Sequence, residues 1–142
     1  MNDFTLHPQL EADTHFVADL ALCSVRLMND ARYPWLMLVP RRADIREVYE
    51  LDSHSQHQLW HETTLLGELL MQLSDGEKLN IGTLGNVVSQ LHVHVIARSS
   101  DDATWPGPVW GVGRPKAYDN EALTTLIDTL RMKIAELPTY SF

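Results

Sequence analysis

The sequence is poor in the features that mark secreted and membrane proteins. Its 142 residues include one cysteine, Cys23, so no disulfide can form within the chain. The N-terminus carries no positively charged segment followed by an apolar run, which a secretory signal requires. The longest apolar run is far shorter than the roughly 20 residues that cross a bilayer. We therefore expect a soluble, cytoplasmic protein without a membrane partner.

Basic residues are also scarce. Nineteen Asp and Glu against eleven Lys and Arg give a formal net charge of −8 at pH 7, which disfavours broad attachment to nucleic acid or to an anionic membrane. A phosphate-bearing small molecule needs only a local basic site. Arginines near apolar segments could form one, and they are Arg41, Arg42, Arg46 and Arg98. Taken singly, each is better explained as a solvated loop charge.

Hydrophobic periodicity predicts one domain over residues 1–142, built from strands and two long helices. Apolar runs predict strands over 14–17, 21–28, 33–39, 78–83 and 89–98, the last two joined by a short turn at 84–86. Helical spacing of leucines predicts a helix from a capping box at Ser53 to about residue 74, and another from Asp119 to Pro138. The run 33–39 is apolar on both faces, as in a central strand. The predicted class is α+β, with an antiparallel sheet of about five strands.

One predicted strand carries side chains with chemistry, in the stretch Gln90 to Ile96. Successive side chains of a strand point to opposite faces, so its apolar members can enter a core while Gln90, His92 and His94 share the other face. The ordinary explanation is a half-buried strand with a polar outer face. Two imidazoles instead suggest metal ligation or nucleophilic and acid–base chemistry. The pair alone leaves these alternatives open.

The segments on either side narrow the choice. Residues 80–89 read Asn-Ile-Gly-Thr-Leu-Gly-Asn-Val-Val-Ser, residues 105–111 read Trp-Pro-Gly-Pro-Val-Trp-Gly, and the apolar run 35–39 ends at Pro40. Together with Gln-Leu-His-Val-His-Val-Ile, these segments resemble the histidine triad (HIT) family of nucleotide hydrolases and transferases. The resemblance covers nearly the whole chain.

The resemblance implies catalytic roles for the alternating positions. The family motif is His-φ-His-φ-His-φ-φ, with φ apolar, so Gln90 takes the first triad position, His92 the second and His94 the third. His92 is then the nucleophile that attacks the α-phosphorus of a nucleotide, and His94 contacts the phosphate. A neutral His92 needs a hydrogen bond from its other ring nitrogen, most simply to a backbone carbonyl. No cofactor is implied.

Substrate-binding positions follow from the same resemblance. Asn80 matches an amide that helps to hold the phosphate, and Gly85 and Asn86 match the glycine and amide that precede the triad. Asp30 is the candidate for holding the ribose hydroxyls. Residues 29–32 also read as a turn, because Asn and Asp side chains bond their own backbone in turns.

Three positions depart from the family pattern. Gln90 replaces the first histidine, Trp35 replaces a further histidine in the preceding strand, and Val87 replaces a Ser or Thr near the leaving group. These changes leave the nucleophile in place but remove groups that could give a proton to the leaving atom. Trp35 remains a substrate-binding candidate.

Other histidines and tryptophans have competing explanations. His54, His57 and His61 share one face of the first long helix, which is compatible with zinc, but that face lies opposite the leucine stripe and lacks a His-Glu-x-x-His signature. We expect surface histidines and no metal site. Trp105 and Trp110 either cover a base or a partner surface or pin an irregular loop to the body.

The leading hypothesis is a nucleotide hydrolase or nucleotidyl transferase with a covalent His92 intermediate, acting on adenosine dinucleoside polyphosphates or acyl adenylates. The expected partners are an adenosine-containing purine nucleotide and, by the resemblance, a second copy of the chain in a homodimer. One alternative is a nucleotide-binding module with weak turnover. Another is a metal-binding protein using His92 and His94, which lacks evident further ligands where structural zinc generally needs about four.

Overall fold

Five antiparallel strands form the sheet on which the chain is built. The structure, a computed structural model, describes residues 3–138. The strands are β1 (Thr14–Asp19), β2 (Cys23–Met28), β3 (Trp35–Pro40), β4 (Lys78–Gly82) and β5 (Val93–Arg98). They pair in the order β1-β2-β3-β5-β4, so β3 is central, as its doubly apolar sequence predicts, and β4 lies at an edge.

The helices complete the predicted α+β fold. They are α1 (Pro8–Asp13), α2 (Ser53–Ser74) and α3 (Asn120–Ala135), and the two long ones confirm the leucine spacing. The expected cap at Ser53 is wrong by one residue, because the Asp52 carboxylate accepts the Ser55 N–H at 2.7 Å and caps α2. Asp119 caps α3 in the same way, accepting the Ala122 N–H at 2.8 Å. None of the helices within residues 3–138 is long and apolar enough to cross a membrane.

Both faces of the sheet are covered, but by different parts of the chain. The helices α2 and α3 pack on one face, where the buried side chains include Leu36, Val95, Leu66 and Leu130. The N-terminal segment and the loop after β5, residues 99–119, cover the other face. The buried side chains there include Met37, Ile96, Leu10 and Val109. His94 is opposite Met37 in the β3–β5 register, so it lies on this second face.

The connection between β4 and β5 is longer than predicted. β5 begins at Val93, four residues later than expected, and residues 83–92 form a loop instead of a short hairpin turn. The loop backbone bonds outside the β4–β5 ladder, since the Leu91 N–H donates to the Ile45 carbonyl at 2.9 Å. His92 therefore ends a loop, one residue before the strand begins.

A buried ion pair closes the end of β5. Arg98 is 1% exposed, so the expectation of a solvated loop charge is wrong for this residue. Its guanidinium bonds both oxygens of Asp102, from Nε to Oδ2 at 2.7 Å and from Nη2 to Oδ1 at 2.9 Å. The hydrogen bond from Arg98 is the main reason why the pKa of Asp102 falls from 3.8 to about 2. Asp102 also accepts the N–H groups of Ser99, Thr104 and Trp105, which fixes the start of the loop after β5.

The other predicted surface residues divide into two groups. Those that are exposed, as expected, are Arg42, Arg46, His54 and His57. Arg41 and His61 are half-buried instead. Arg41 donates to the Leu20 carbonyl, and His61 lines a cavity of about 430 Å³ between α2, α3 and the β1–β2 turn.

Replacing Asp102 by alanine is expected to destabilise the fold by about 3–5 kcal/mol, because it leaves the buried Arg98 cation without its partner. Urea unfolding followed by circular dichroism measures the change. The matched control is Glu136→Ala, which removes an exposed partner of Lys133 and should cost at most about 0.5 kcal/mol. A loss below about 1 kcal/mol for Asp102→Ala would contradict the role of the pair.

The contribution of the Arg98–Asp102 pair to folding stability should depend on pH. Because the pKa of Asp102 in the folded protein lies below 3.8, its stabilising contribution is complete above that pH and is lost as the pH falls toward about 2. The wild-type protein should therefore lose more stability over this interval than the Asp102→Asn variant, whose amide does not titrate. Equal losses in the two proteins would argue against the linkage.

Candidate active site

The two imidazoles of the histidine stretch lie against each other in a buried site. The ring centroids of His92 and His94 are 5.2 Å apart and their planes meet at 82°. The rings do not stand on a solvent-facing strand surface, as alternation alone suggests, because His92 is 6% exposed and His94 is 5% exposed. The loop after β5 covers them, and its Trp110 ring centroid lies 5.7 Å from that of His94.

The loop backbone determines which nitrogen of His92 is available. Nδ1 lies 2.6 Å from the Gln90 carbonyl oxygen. A carbonyl oxygen only accepts, so Nδ1 carries a proton and donates it, and in the neutral ring Nε2 then has the lone pair. This is the arrangement expected for a neutral, nucleophilic imidazole.

His94 is held by a different partner. The Trp35 indole donates from Nε1 to Nδ1 of His94 at 2.9 Å. Burial, and to a smaller extent the neighbouring His92, lower the pKa of His94 from 6.5 to about 4. His94 is therefore neutral at physiological pH, so it can offer a hydrogen bond but not a cationic acid.

The side chain of Gln90 bonds to the N-terminal segment. Its Oε1 accepts the His7 N–H at 2.8 Å, and its Nε2 donates to the Thr5 carbonyl at 2.8 Å. Both ends of the amide are thus used outside the imidazole pair. What Gln90 gives to His92 is its main-chain carbonyl.

Asn80 lies on the same face of the sheet as His94. In the β4–β5 register Asn80 is opposite Ile96, two residues from His94, and paired residues share a face. The Asn80 Oδ1 accepts a hydrogen bond from Arg98 Nη1 at 2.9 Å. Because a guanidinium only donates, the amide oxygen must be the atom at Arg98, which leaves the NH₂ group for another acceptor.

The glycine and amide that precede the histidines lie in the loop 83–92. Gly85 has a φ of +112°, a conformation that residues with a side chain rarely adopt. Asn86 is exposed, and Val87 beside it is 95% exposed. This part of the loop thus presents an amide and an apolar side chain to solvent, with no hydroxyl at position 87.

Asp30 lies beside Trp35 in a second part of the site. Both residues line a cavity of about 260 Å³, together with Arg32 and parts of the loop 109–115. The Asp30 carboxylate accepts hydrogen bonds from the Arg32 guanidinium and from the N–H groups of Arg32 and Lys116. Burial disfavours its charge, but these hydrogen bonds outweigh burial and lower the pKa of Asp30. Asp30 therefore closes its own turn and anchors the loop after β5.

The two loop tryptophans have different neighbours. A Cβ built on Gly82 would lie 2.9 Å from Trp110 Cη2, so glycine at this position gives the indole room to pack. Trp105 is 37% exposed, and its ring centroid lies 5.8 Å from the Arg98 guanidinium carbon. Trp110 thus pins the loop and walls the site, whereas Trp105 packs over the buried ion pair.

Two arginines that support the site were not predicted in that role. Arg98 orients Asn80, and Arg32 bonds Asp30. The four-residue spacing of Arg98 and Asp102 is visible in the sequence, but such pairs are usually solvated. The sequence does not indicate that this segment is buried. Burial is what makes the Arg98–Asp102 pair important for stability.

The imidazole pair does not form part of a larger metal-ligand cluster. Within residues 3–138, no three His, Cys, Asp or Glu side chains lie close enough together to hold a metal ion. Structural zinc generally needs about four ligands. The geometry therefore offers less to a metal than to a phosphate group.

Comparison with known proteins places the chain in a family. A family model described as the HIT domain matches residues 9–101. This chain belongs to the HIT domain family. Membership supports a nucleotide-binding, hydrolase or transferase function in general, and the resemblance inferred from the sequence is confirmed. No curated protein matches the chain.

Solved structures share its fold along almost its whole length. A histidine triad protein of Bradyrhizobium japonicum is 47% identical, with a TM-score of 0.90, covering 92% of this chain and 98% of that one. One of Marinobacter aquaeolei is 44% identical, with a TM-score of 0.92, covering 95% and 98%. The Plasmodium falciparum diadenosine triphosphate hydrolase is 13% identical, with a TM-score of 0.67, covering 95% and 84%, and shows the shared fold alone.

Removing the Trp110 indole should raise the pKa of His94 from about 4 toward its ordinary 6.5, because burial is the main cause of the low value. NMR titration of the His94 ring in Trp110→Ala measures the shift. The control is Trp105→Ala, which removes an indole from the same loop, over Arg98, and should leave the His94 titration unchanged. A midpoint still near 4 in Trp110→Ala would contradict the covering role of Trp110.

Proposed function

We propose that this HIT protein is a nucleotide hydrolase or nucleotidyl transferase that acts at the α-phosphorus through a covalent His92 intermediate. The 2.6 Å hydrogen bond from His92 Nδ1 to the Gln90 carbonyl supports this most directly. It leaves the Nε2 lone pair free for attack and holds the ring in place.

The proposed reaction consists of two displacements. In the first, the Nε2 lone pair bonds to the α-phosphorus while the bond from phosphorus to the leaving group breaks, and the leaving group takes the electron pair. The imidazole then carries a positive charge, which the Gln90 carbonyl stabilises through Nδ1–H. In the second, water attacks phosphorus, the P–N bond returns its electrons to Nε2, and a nucleoside monophosphate leaves as one proton passes to solvent.

Fixed donors around His92 would bind the nonbridging oxygens of the phosphate. His94 would donate as a neutral imidazole, consistent with its pKa of about 4. Asn80 would donate from the NH₂ group that Arg98 orients, and the loop at Gly85 and Asn86 would add N–H groups. Donors that are fixed before the reaction, in a site without bulk water, are often the largest source of catalysis.

The nucleoside is proposed to be adenosine, bound in the cavity beside Asp30 and Trp35. Asp30 would hold the ribose hydroxyls through Oδ2, which bonds the Arg32 guanidinium, while Oδ1 keeps its bonds to the Arg32 and Lys116 N–H groups. Dinucleoside polyphosphates and acyl adenylates are the proposed substrates, and the name of the Plasmodium falciparum fold relative agrees with the first of these.

A homodimer is also proposed, because β4 leaves an open sheet edge on which Ile81 is 37% exposed.

A nucleotide-binding module with weak turnover is the second candidate. The placement of Gln90 favours it, because both ends of that amide bond the backbone of Thr5 and His7 and cannot assist the reacting atoms. Saturable binding of adenosine monophosphate without a covalent adduct would support this function over the first.

His92→Ala is expected to abolish turnover and the covalent adduct, because it removes the proposed nucleophile. Incubation with a panel of adenosine nucleotides, followed by intact-protein mass spectrometry, measures a nucleoside monophosphate adduct and turnover together. His54→Ala, the same change at an exposed histidine of α2, is the control and should behave as wild type. Near-normal turnover by a folded His92→Ala protein would end the proposal.

Anhydride substrates are expected to be cleaved with higher kcat/KM than adenosine phosphoramidates. An amine leaving group must gain a proton, and a general acid typically contributes about 10²- to 10⁴-fold. His94 is neutral, the Gln90 amide does not titrate, and Val87 has no hydroxyl. Matched adenosine substrates test the order directly. Faster phosphoramidate cleavage by the wild-type protein would refute the argument, whatever the nucleophile.

The companion variant is Gln90→His, which restores a titratable group at the first triad position. It also removes two hydrogen bonds to the N-terminal segment, so its thermal stability should be measured beside its activity. A selective gain on phosphoramidates would identify the missing proton donor as the cause of the preference.

A further inference from the structure

The hydrogen bond between Trp35 and His94 bears on which nitrogen of the His94 ring carries the proton, as well as on the position of the ring. Both side chains are buried, at 7% and 5% exposure, and Nε1 of Trp35 lies 2.9 Å from Nδ1 of His94. An indole nitrogen can only donate, so Nδ1 has to offer a lone pair. A neutral imidazole carries one proton, which must then be on Nε2.

We propose that Trp35 is a positioning residue that holds His94 in the tautomer protonated at Nε2, so that His94 presents an N–H group to a substrate oxygen. The nature of that oxygen, on a phosphate, rests on the proposed function. The tautomer depends only on the contact between the two side chains.

The neighbouring imidazole, His92, has the opposite tautomer. His92 donates from Nδ1 to the Gln90 carbonyl and keeps a lone pair on Nε2. With ring centroids 5.2 Å apart, the pair offers one nucleophilic nitrogen beside one donor. The other tautomer of His94 would present a second lone pair to an anionic phosphate, which repels it.

The surroundings of His94 leave Trp35 as the group that selects the tautomer. Among the described residues, the aromatic rings that pack against His94 are those of His92, Trp35 and Trp110, and its partners across the sheet are Met37 and Gly82. His92 is the member of this set with an ionisable side chain. A charged group further along the same face of β5, Arg98, is paired with Asp102.

An indole suits this task because it does not titrate and its N–H group can only donate a hydrogen bond. A histidine at position 35 could donate, accept or carry a charge, depending on pH and on its own partners. Trp35 donates in every case. The departure from the family pattern at this position thus replaces a switchable partner with a permanent donor.

The test reads the tautomer by long-range ¹H–¹⁵N NMR at pH 7 on histidine-labelled protein, with His94 assigned by its loss in His94→Gln. Wild-type protein is expected to show His94 protonated at Nε2. Trp35→Phe keeps an aromatic ring but removes the donor, and should give a mixture of tautomers. Trp35→His restores a donor and should restore the Nε2 form in part.

Trp110→Phe is the matched control for the NMR measurement. It makes the same change of indole to phenyl beside His94, at a centroid distance of 5.7 Å, but removes no hydrogen bond to Nδ1. The tautomer of His94 should stay as in the wild type.

Turnover gives a second readout. Trp35→Phe should lower kcat about 10- to 100-fold with a smaller effect on KM, and Trp35→His should recover part of the loss. The Trp35 hydrogen bond stabilises neutral His94, so its removal should raise the pKa of His94. The NMR titration midpoint of His94 should then lie about one pH unit higher in Trp35→Phe than in the wild type.

Three outcomes would overturn the proposal: His94 protonated at Nδ1 in the wild type, an unchanged tautomer in Trp35→Phe, or the same tautomer shift in Trp110→Phe. Should Trp35→Phe fail to fold, Trp35→Leu, which also removes the donor, is expected to give the same mixture of tautomers. If the wild-type protein turns over no nucleotide, the proposed function fails while the spectra still establish or refute the tautomer.

Discussion

The site depends on one constraint: β5 is buried along its length and yet carries polar groups that must all find partners. A polar group buried without a hydrogen bond costs about 1–3 kcal/mol, and a buried charge costs more. The end of the loop and the strand bring two imidazoles and a guanidinium into this environment. A backbone carbonyl, an indole and a carboxylate satisfy them, from Gln90, Trp35 and Asp102.

These partners explain why so much irregular chain surrounds the sheet. The loop 83–92 supplies the carbonyl for His92, and the loop after β5 supplies Asp102 for Arg98. The second loop returns to the turn before β3, where Asp30 accepts the Lys116 N–H. Two of the three partners therefore come from segments with no helix or strand, and Trp35 on β3 is the third.

Sequence reasoning found the strands, the long helices and the neighbouring imidazoles because each has a periodic signal. It placed the start of β5 too early, because the alternation of residues 89–92 continues through a loop whose backbone bonds Ile45 instead of a strand. It read Arg98 as solvated, because only the folded loop buries that side chain. It could not anticipate the role of Trp35 as a donor to His94, since the bond joins residues on different strands.

The partner of His92 Nδ1 is a carbonyl of the main chain, which every amino acid has. The orientation of the imidazole therefore places no demand on the side chain at position 90. In this chain the side chain of Gln90 bonds the backbone of Thr5 and His7 instead. A glutamine at the first triad position is thus compatible with a fixed orientation of the His92 ring, and its side chain is available for a structural contact.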